Sequence, residues 1–586
     1  MLASLRRRGR ALLGRRPLSI YKSKLALPDV PKVALTEYLV QHFHKYGEKV
    51  MVVDGLTGAE LRFCDFGPRV SAAATKLGAA TNCFGAGDSL MIFAPNCIEY
   101  PIAFHAALVR GGVATTANPA YTPAELAHQI RDSSVRHLLT SAAGEATARE
   151  ALKLAGSDAS VSVLGEPGAI TSVDVGDAPP GADLSFSLAS RASTVPDDVD
   201  LRLRSAPFDA TKSIAVIPYS SGTTGVAKGV LLTHHNLVAN LVQVVSMVHH
   251  TRQHMLPHDS VFLCLLRGAR ARTPMFHIYG MTAVSQAMLL GHTLVSLPGF
   301  TPETFLDALE KHRVTWAYLV PPLILFLAKS PLVDAHKLRY LKVVTSGAAP
   351  LDAAVQLEAA NRVDIEIFQA YGLTETSPAV LIDPAVTPGT SGQLVPGTEA
   401  MLKVDVGDLE PPVYRDALVG EAGEAWFRGP QVMRGYVNRP DATAACVTPD
   451  GWLQTGDAAT IDAEGNFRIV DRIKELIKVK GLQVAPAELE GLLLTHADVA
   501  DAAVVPQRDD RAGELPHAFV VLKAGRALDA AAVCEFIKGQ TAPHKWLGGV
   551  TFSDAIPKSA SGKILRRILR DQLAQGAALY ISLYAQ

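Results

Sequence analysis

Residues 219–230 read Tyr219-Ser220-Ser221-Gly222-Thr223-Thr224-Gly225-Val226-Ala227-Lys228-Gly229-Val230. The apolar run Ile214 to Pro218 precedes them and Leu231-Leu232-Thr233 follows, which predicts a loop leaving a buried strand. Ser220, Ser221, Thr223 and Thr224 offer hydroxyl donors, Gly222, Gly225 and Gly229 let a backbone approach a ligand closely, and Lys228 adds a cation. That set suits a polyphosphate. A surface turn rich in Ser, Thr and Gly has the same composition, so the stretch alone leaves both readings open. The pattern Gly-x-x-x-x-Gly-Lys-[Ser/Thr] cannot be laid over these residues, which excludes a Walker loop here.

Six further strings follow in order: Pro274-Met275-Phe276-His277-Ile278-Tyr279-Gly280, Ser346-Gly347-Ala348-Ala349-Pro350, Gln369-Ala370-Tyr371-Gly372-Leu373-Thr374-Glu375, Thr455-Gly456-Asp457, Asp471-Arg472-Ile473-Lys474 and Pro557-Lys558-Ser559-Ala560-Ser561-Gly562-Lys563. With residues 219–230 they resemble the adenylate-forming (ANL) superfamily of acyl-CoA synthetases, 4-coumarate:CoA ligases, luciferases and peptide-synthetase adenylation domains. The resemblance covers all but the first couple of dozen residues. It implies an α/β fold: a large N-terminal domain of parallel sheets sandwiched by helices with a small β subdomain, and a smaller mobile α+β C-terminal domain. The expected boundaries are a leader at 1–23, an AMP-binding domain at 24–471 and a C-terminal domain at 472–586.

Composition sets outer limits. A chain of 586 residues, 48% hydrophobic and 19% charged with 46 glycines, implies several folding units of ordinary globular type. A formal charge of −1 gives no support to nucleic acid or an anionic membrane as a partner. No apolar run reaches the length of a transmembrane helix. Cys64, Cys83, Cys97, Cys264, Cys446 and Cys534 form no Cys-x-x-Cys pair, which argues for reduced thiols and against a zinc site.

The N-terminus differs in kind from the remainder of the chain. Before Asp29 it has no acidic residue, yet Arg6, Arg7, Arg8, Arg10, Arg15 and Arg16 alternate with leucines. This is the pattern of a mitochondrial or plastid import leader, with a basic tail on a cytoplasmic protein as the alternative. The final residues are not a peroxisomal Ser-Lys-Leu signal.

Alternating helix-like stretches and apolar runs such as Ser89–Ala94 and Val135–Thr140 predict a parallel sheet covered by helices. The Gly-, Ser- and Pro-rich stretch 156–208 reads as loop, His234 and His235 as the start of a helix, and Pro486 to Leu494 as another. The segment from Glu424 through Gly435-Tyr436 to Asp457 reads as a β-rich subdomain of short strands.

The resemblance assigns roles residue by residue. Ser220, Ser221, Gly222, Thr223, Thr224, Gly225 and Lys228 would hold ATP phosphates; Gly347, Ala348 and Ala349 would form the adenine shelf, with Gln369, Tyr371 and Gly372 beside it. Thr374 would bind the α-phosphate and Glu375 Mg²⁺, a hard cation suited to carboxylate and phosphate oxygens. Asp457 would accept both ribose hydroxyls, and Arg472, Lys474, Lys478 and Gln483 would contact the nucleotide or adenylate. Lys480 and Gly481 would meet coenzyme A, while His277 and Tyr279 would meet the acid. Lys563 would bridge carboxylate and α-phosphate as charge builds, a task for a compact cation on a flexible stem. Gly299 departs from coumarate ligases, which tend to carry a basic residue there near coenzyme A, and Arg267 to Thr273 form an extra stretch before Pro274.

The implied activity is ATP-dependent ligation of a carboxylic acid to coenzyme A, catalysed by Lys563, His277 and Glu375, with ATP, Mg²⁺ and coenzyme A as co-substrates. The acid would be hydroxycinnamate-like or otherwise aromatic, with a fatty acid as the alternative and a monomer or weak homodimer as the assembly. A luciferase-like oxygenase and a non-catalytic nucleotide-binding relative are the rival readings. A peptide-synthetase module would need a carrier domain, and the sequence after Lys563 is too short for one.

Overall fold

The computed structural model describes residues 20–80, 84–164, 208–220, 227–252, 260–264, 274–406, 413–480, 482–509, 511–558 and 564–584. Three sheets lie before residue 473 and a fourth after it.

The first sheet has seven strands in the order Gly435–Tyr436, Lys228–Thr233, Ile214–Ser220, Val113–Thr116, Ser89–Phe93, Val135–Ser141 and Ser160–Leu164. From Ile214–Ser220 outward to Ser160–Leu164 the pairing is parallel, as the alternating helices and apolar runs predict. Helices cross over between those strands, so both faces are covered and the strands read as continuous apolar runs. Ser160–Leu164 is a strand, although it lies in the stretch read as loop; Val161 and Leu164 are buried in the sheet. The rest of that stretch, 165–207, lies outside the described residues.

The nine-stranded second sheet is parallel from Val50–Asp54 across to Glu366–Gly372 and ends in antiparallel strands at both edges. Phe262, Trp316 and Tyr318 gather at its centre with ring centroids 5.4 to 6.3 Å apart. Each buried ring of that kind contributes about 1.5–3 kcal/mol of burial free energy.

An antiparallel six-stranded sheet forms the β subdomain, including Glu399–Asp405, Gly423–Arg428, Leu453–Ile461 and Phe467–Arg472. Two pairings cross the expected divisions. Tyr21–Lys22, at the end of the expected leader, pair with Ala400 and Glu399, and Tyr21 packs edge-on against Phe467. Gly435–Tyr436 leave this subdomain and close the edge of the seven-stranded sheet instead.

The sheets change identity between Arg472 and Ile477, across the single turn Ile473–Glu475. Beyond it, Ile477–Val479, Leu482–Val484, Val499–Asp509, Gly513–Leu522 and Gly549–Phe552 form the C-terminal sheet, with its own core around Leu489, Val504 and Val520. The helix Pro486–Thr495 begins where the sequence predicts it.

Candidate active site

The phosphate-loop candidate is flanked by two paired strands. Ile214–Ser220 and Lys228–Thr233 pair antiparallel, with Ser220 opposite Lys228 as the last described pair. Ser221, Gly222, Thr223, Thr224 and Gly225 lie outside the described residues. Because a strand and not a helix follows, a phosphate here would meet hydroxyls, backbone N–H groups and Lys228 without a helix N-terminus. The base of the hairpin is pinned: Tyr219 donates its phenol to Asp132 Oδ2 at 2.8 Å, and a Cβ on Gly229 would come 3.0 Å from Tyr219 Cζ. A side chain at 229 would therefore crowd that ring.

Glu375 comes from the short turn Thr374–Thr376 at the end of Glu366–Gly372. A Cβ on Gly372 would fall 1.9 Å from the carbonyl oxygen of Pro378, so the turn can fold back on itself only with glycine there. Leu373 N–H donates to Thr376 Oγ1 at 2.9 Å, closing the turn. Thr374 and Glu375 end up 7% and 9% exposed, which places a carboxylate in a poorly hydrated position. Tyr436 answers it, donating its phenol to Glu375 Oε1 at 2.8 Å. Burial, then the charge of Glu375, pushes the Tyr436 phenol well above its ordinary pKa, so it stays a donor. The Lys228 ammonium sits 4.9 Å from the centre of the same ring.

A second constellation lies where two sheets meet. Asp457 and Arg472 are cross-strand partners in the β subdomain, with Arg472 Nε 3.4 Å from Asp457 Oδ1. Tyr371, from the nine-stranded sheet, donates to Asp457 Oδ2 at 2.6 Å. Burial and the Asp457 charge raise the Tyr371 pKa well above the usual phenol range. Lys474, two residues beyond Arg472, is exposed; its pKa is lowered first by partial desolvation, then by Arg472, Arg570 and Lys228, with Glu475 opposing. Cations crowded in this way favour a bound anion.

The shelf residues follow Val343–Ser346. A Cβ on Gly347 would meet Tyr279 Cζ at 3.0 Å, and Ala348 holds a left-handed φ of 71°. Tyr279 donates its phenol to Thr345 O at 3.1 Å, so the expected acid-pocket wall touches the expected adenine shelf. His277 caps the helix Ile278–Leu290, with Nδ1 accepting from Tyr279 N–H at 3.3 Å. Gln369 is spent on support: it donates to Leu351 O at 3.1 Å and Gln356 Oε1 at 3.0 Å and accepts from Leu351 N–H at 3.3 Å. Those bonds tie the strand Glu366–Gly372 to Leu351, just after the expected shelf.

In the C-terminal domain, Lys478 and Gln483 are cross-strand partners, and Lys480 takes a left-handed φ of 50° at the turn between them. Their described contacts are with their own hairpin and its neighbours Glu514 and Ala512. Gly481 and Lys563 lie outside the described residues, as does Arg267 to Thr273. Both flanks of the Lys563 loop are nonetheless fixed. Lys558 bridges to Ile564 in antiparallel fashion, and its ammonium grips both oxygens of Asp501 at 2.9 and 2.7 Å. Lys558 is therefore a structural anchor.

Sequence reasoning missed Tyr436, Asp132 and Asp501 as parts of this arrangement. The signal for Tyr436 was faint: an aromatic after Gly435, a residue whose φ of 152° and close approach to Thr443 suit glycine.

Among the described residues no group of three or more His, Cys, Asp or Glu gathers to hold a metal. No helix among them is long and apolar enough to cross a membrane.

The family model described as "AMP-binding enzyme" matches residues 39–437, and "AMP-binding enzyme C-terminal domain" matches residues 488–563. The chain is 39% identical over 573 residues to 4-coumarate–CoA ligase 2 of Oryza sativa subsp. japonica, covering 95% of each protein. It is 35% identical to the 4-coumarate–CoA ligase of Pinus taeda over 584 residues, 95% of this chain and 98% of the relative. The crystal structure of ATP-bound MatB from Rhodopseudomonas palustris superposes with a TM-score of 0.76 at 26% identity, covering 91% of this chain and 98% of that one. Seven ordered motifs and matches along most of the chain agree: the protein belongs to the AMP-binding enzymes, the adenylate-forming family of acid–CoA ligases.

Proposed function

We propose that the protein joins a hydroxycinnamate-like or other aromatic carboxylic acid to coenzyme A through an acyl adenylate. The observation that supports this reading is that Tyr371, Asp457 and Arg472 are bonded to one another across two sheets, while Tyr436 links Glu375 to Lys228, which suits the ribose and phosphate roles that the motifs imply. The substrate class rests on the 4-coumarate–CoA ligases among its relatives.

A free carboxylate is a poor electrophile, so the first step is attack of its oxygen on the α-phosphorus of ATP, releasing pyrophosphate. Ser220 to Gly225 and Lys228 would take the departing phosphates. Thr374 would hold the α-phosphate, Asp457 would orient the ribose, and the plane of Tyr371 would lie on the adenine above Gly347 to Ala349. Lys563 would neutralise charge between carboxylate and phosphate, an electrostatic role that needs no covalent intermediate with the protein.

Mg²⁺ fits the donor set on one count: Glu375 is a hard oxygen ligand in a nearly buried position next to the phosphate hairpin. Glu375 would hold it together with triphosphate oxygens, and the ion would supply charge neutralisation on the leaving pyrophosphate. For the second step, the C-terminal domain would turn about Lys474 and bring Lys478, Lys480, Gly481 and Gln483 to the adenylate and coenzyme A. His277 would orient the acid first and then clear the path of the thiol. The Arg-rich first residues are read as an import leader to a mitochondrion or plastid.

Acid-dependent release of pyrophosphate, screened over hydroxycinnamic, benzoic and straight-chain fatty acids, tests the reading. Aromatic acids are expected to turn over best. Release with none of them would refute the ligase, preference for a fatty acid would refute the substrate class, and a Lys563→Ala protein that adenylates at the parent rate would refute the role of that lysine.

A further inference from the structure

We infer that Tyr436 is a positioning residue for the Glu375 carboxylate, fixing it against the phosphate hairpin so that it meets the nucleotide-bound cation in one orientation. This rests on the reading of Glu375 as the Mg²⁺ ligand. Four observations carry it.

First, the contact is directional. The Tyr436 hydroxyl donates to Glu375 Oε1 at 2.8 Å, a charge-assisted bond that fixes the carboxylate plane and commits one oxygen. Second, the ring has two jobs. Its face lies 4.9 Å from Lys228 Nζ, so one side chain links the carboxylate to the lysine at the mouth of the hairpin. Third, the backbone around Tyr436 is tied to both elements it links. Met433 N–H donates to Glu375 O at 2.8 Å, Arg434 N–H to Leu231 O at 3.0 Å and Val437 N–H to Gly229 O at 2.9 Å. Residues 433–437 thus clasp the Glu375 turn to the strand leaving the hairpin. Fourth, Tyr436 itself has little freedom: its N–H donates to Thr443 Oγ1 at 2.9 Å, and a Cβ on Gly435 would meet Thr443 Cγ2 at 2.8 Å.

A carboxylate that is 9% exposed has little water to hold it. Without a fixed donor it would rotate between arrangements, and each cation-binding event would have to order it first. Tyr436 removes that cost in advance, in the way second ligands orient metal-binding groups generally.

Tyr436→Phe keeps the ring beneath Lys228 and deletes only the hydroxyl. Mn²⁺ titrated into the full chain with ATP present, followed by loss of the free-ion electron paramagnetic resonance signal, should bind about tenfold more weakly in this variant. ATP binding with the metal chelated should stay at the parent value, which a general structural lesion would not allow, while the thermal midpoint should fall by a few degrees at most because a buried carboxylate loses a donor. Glu375→Gln should also lose Mn²⁺ affinity, and adding Tyr436→Phe to it should cause no further loss. If Tyr436→Phe binds Mn²⁺ as the parent does, or if its loss recurs in full on the Glu375→Gln background, the positioning role is wrong while the reading of Glu375 stands. If Glu375→Gln binds Mn²⁺ like the parent, both are wrong. None of these readouts needs the acid substrate, so they are independent of whether the aromatic-acid assignment holds.

Discussion

Tyr371 and Asp457 are joined by a 2.6 Å hydrogen bond that crosses from the nine-stranded sheet to the β subdomain. The bond puts the ring proposed to stack on adenine and the carboxylate proposed to bind ribose on one rigid unit, because Asp457 is also held by Arg472 from its neighbouring strand. Asp457 is 5% exposed, so it depends on those partners and not on water.

Tyr371→Phe should therefore loosen nucleotide binding more than it slows chemistry. Loss of a bond to a charged group of this kind costs about 1.5 kcal/mol, roughly tenfold in KM for ATP, with a smaller change in kcat. Asp457→Asn should in addition narrow the preference for ATP over its 2′-deoxy analogue, since the ribose acceptor is weakened. Steady-state kinetics with both nucleotides checks this, and a Tyr371→Phe enzyme with the parent KM for ATP would contradict it.

The same contrast shows what a sequence can and cannot disclose. The Gly-, Ser-, Thr- and Lys-rich stretch by itself fits a surface turn as well as a phosphate site, and Tyr371, Glu375 and Asp457 became candidates only through the motif strings around them. The parallel sheets were legible too, since strands covered on both faces, such as Ser89–Phe93 and Val135–Ser141, must be apolar throughout. A string shows which residues sit together and not which way each side chain points: the Gln369 amide turns toward Leu351 and Gln356. Tyr436, Asp132 and Asp501 were invisible for a different reason. Their partners lie 61, 87 and 57 residues away, so the pairing exists only once the sheets have assembled.

The clamp at the base of the hairpin gives a second test. Tyr219 hands its proton donor to Asp132, the last residue of the helix Pro123–Asp132, whose backbone carbonyl also accepts from Asn438 Nδ2 at 3.0 Å. Tyr219→Phe preserves the ring that packs over Gly229 and removes the tether. The expected cost is about 1 kcal/mol, seen as roughly a fivefold rise in KM for ATP, with a similar rise for pyrophosphate in the reverse reaction. An unchanged KM for both phosphate ligands would show that the hairpin needs no tether.

Asp471 spans the junction between the two domains. Its Oδ1 accepts from Arg472 N–H at 2.7 Å and its Oδ2 from Ala487 N–H at 3.0 Å, at the start of the first C-terminal helix. If the C-terminal domain turns about Lys474, the bond to Ala487 must break, because its partners lie on opposite sides of the pivot. Asp471→Asn should weaken this docked arrangement by about 1–2 kcal/mol and change the ratio of adenylation to thioester formation. Trypsin cleavage at Lys474 or Lys478 should become several times faster. A variant with the parent cleavage rate and the parent ratio of half-reactions would mean that the bond does not control domain position.

Acid should destabilise the fold through buried histidines. Burial holds the pKa of His137 down to about 4, of His234 to about 4 and of His105 to about 3. In the unfolded chain each titrates near its ordinary value of about 6.5. Below that pH the unfolded chain binds protons that the folded chain refuses, so stability falls as pH drops through 6.5 and keeps falling until the folded values near 3 to 4 are reached. At pH 5 each such group removes about 2 kcal/mol relative to neutral pH. His137 is the cleanest case, fully buried between Ser160 Oγ at 2.6 Å and Ser162 Oγ at 2.8 Å. A His137→Gln protein should be less stable than the parent at pH 7.5, because those hydroxyls lose a matched partner, yet it should lose less on going to pH 5. Apparent urea midpoints at the two pH values measure both effects. Equal losses in parent and variant would mean that the ring does not refuse its proton in the folded state, and the acid sensitivity would then have to come from the other buried histidines, His105 and His234.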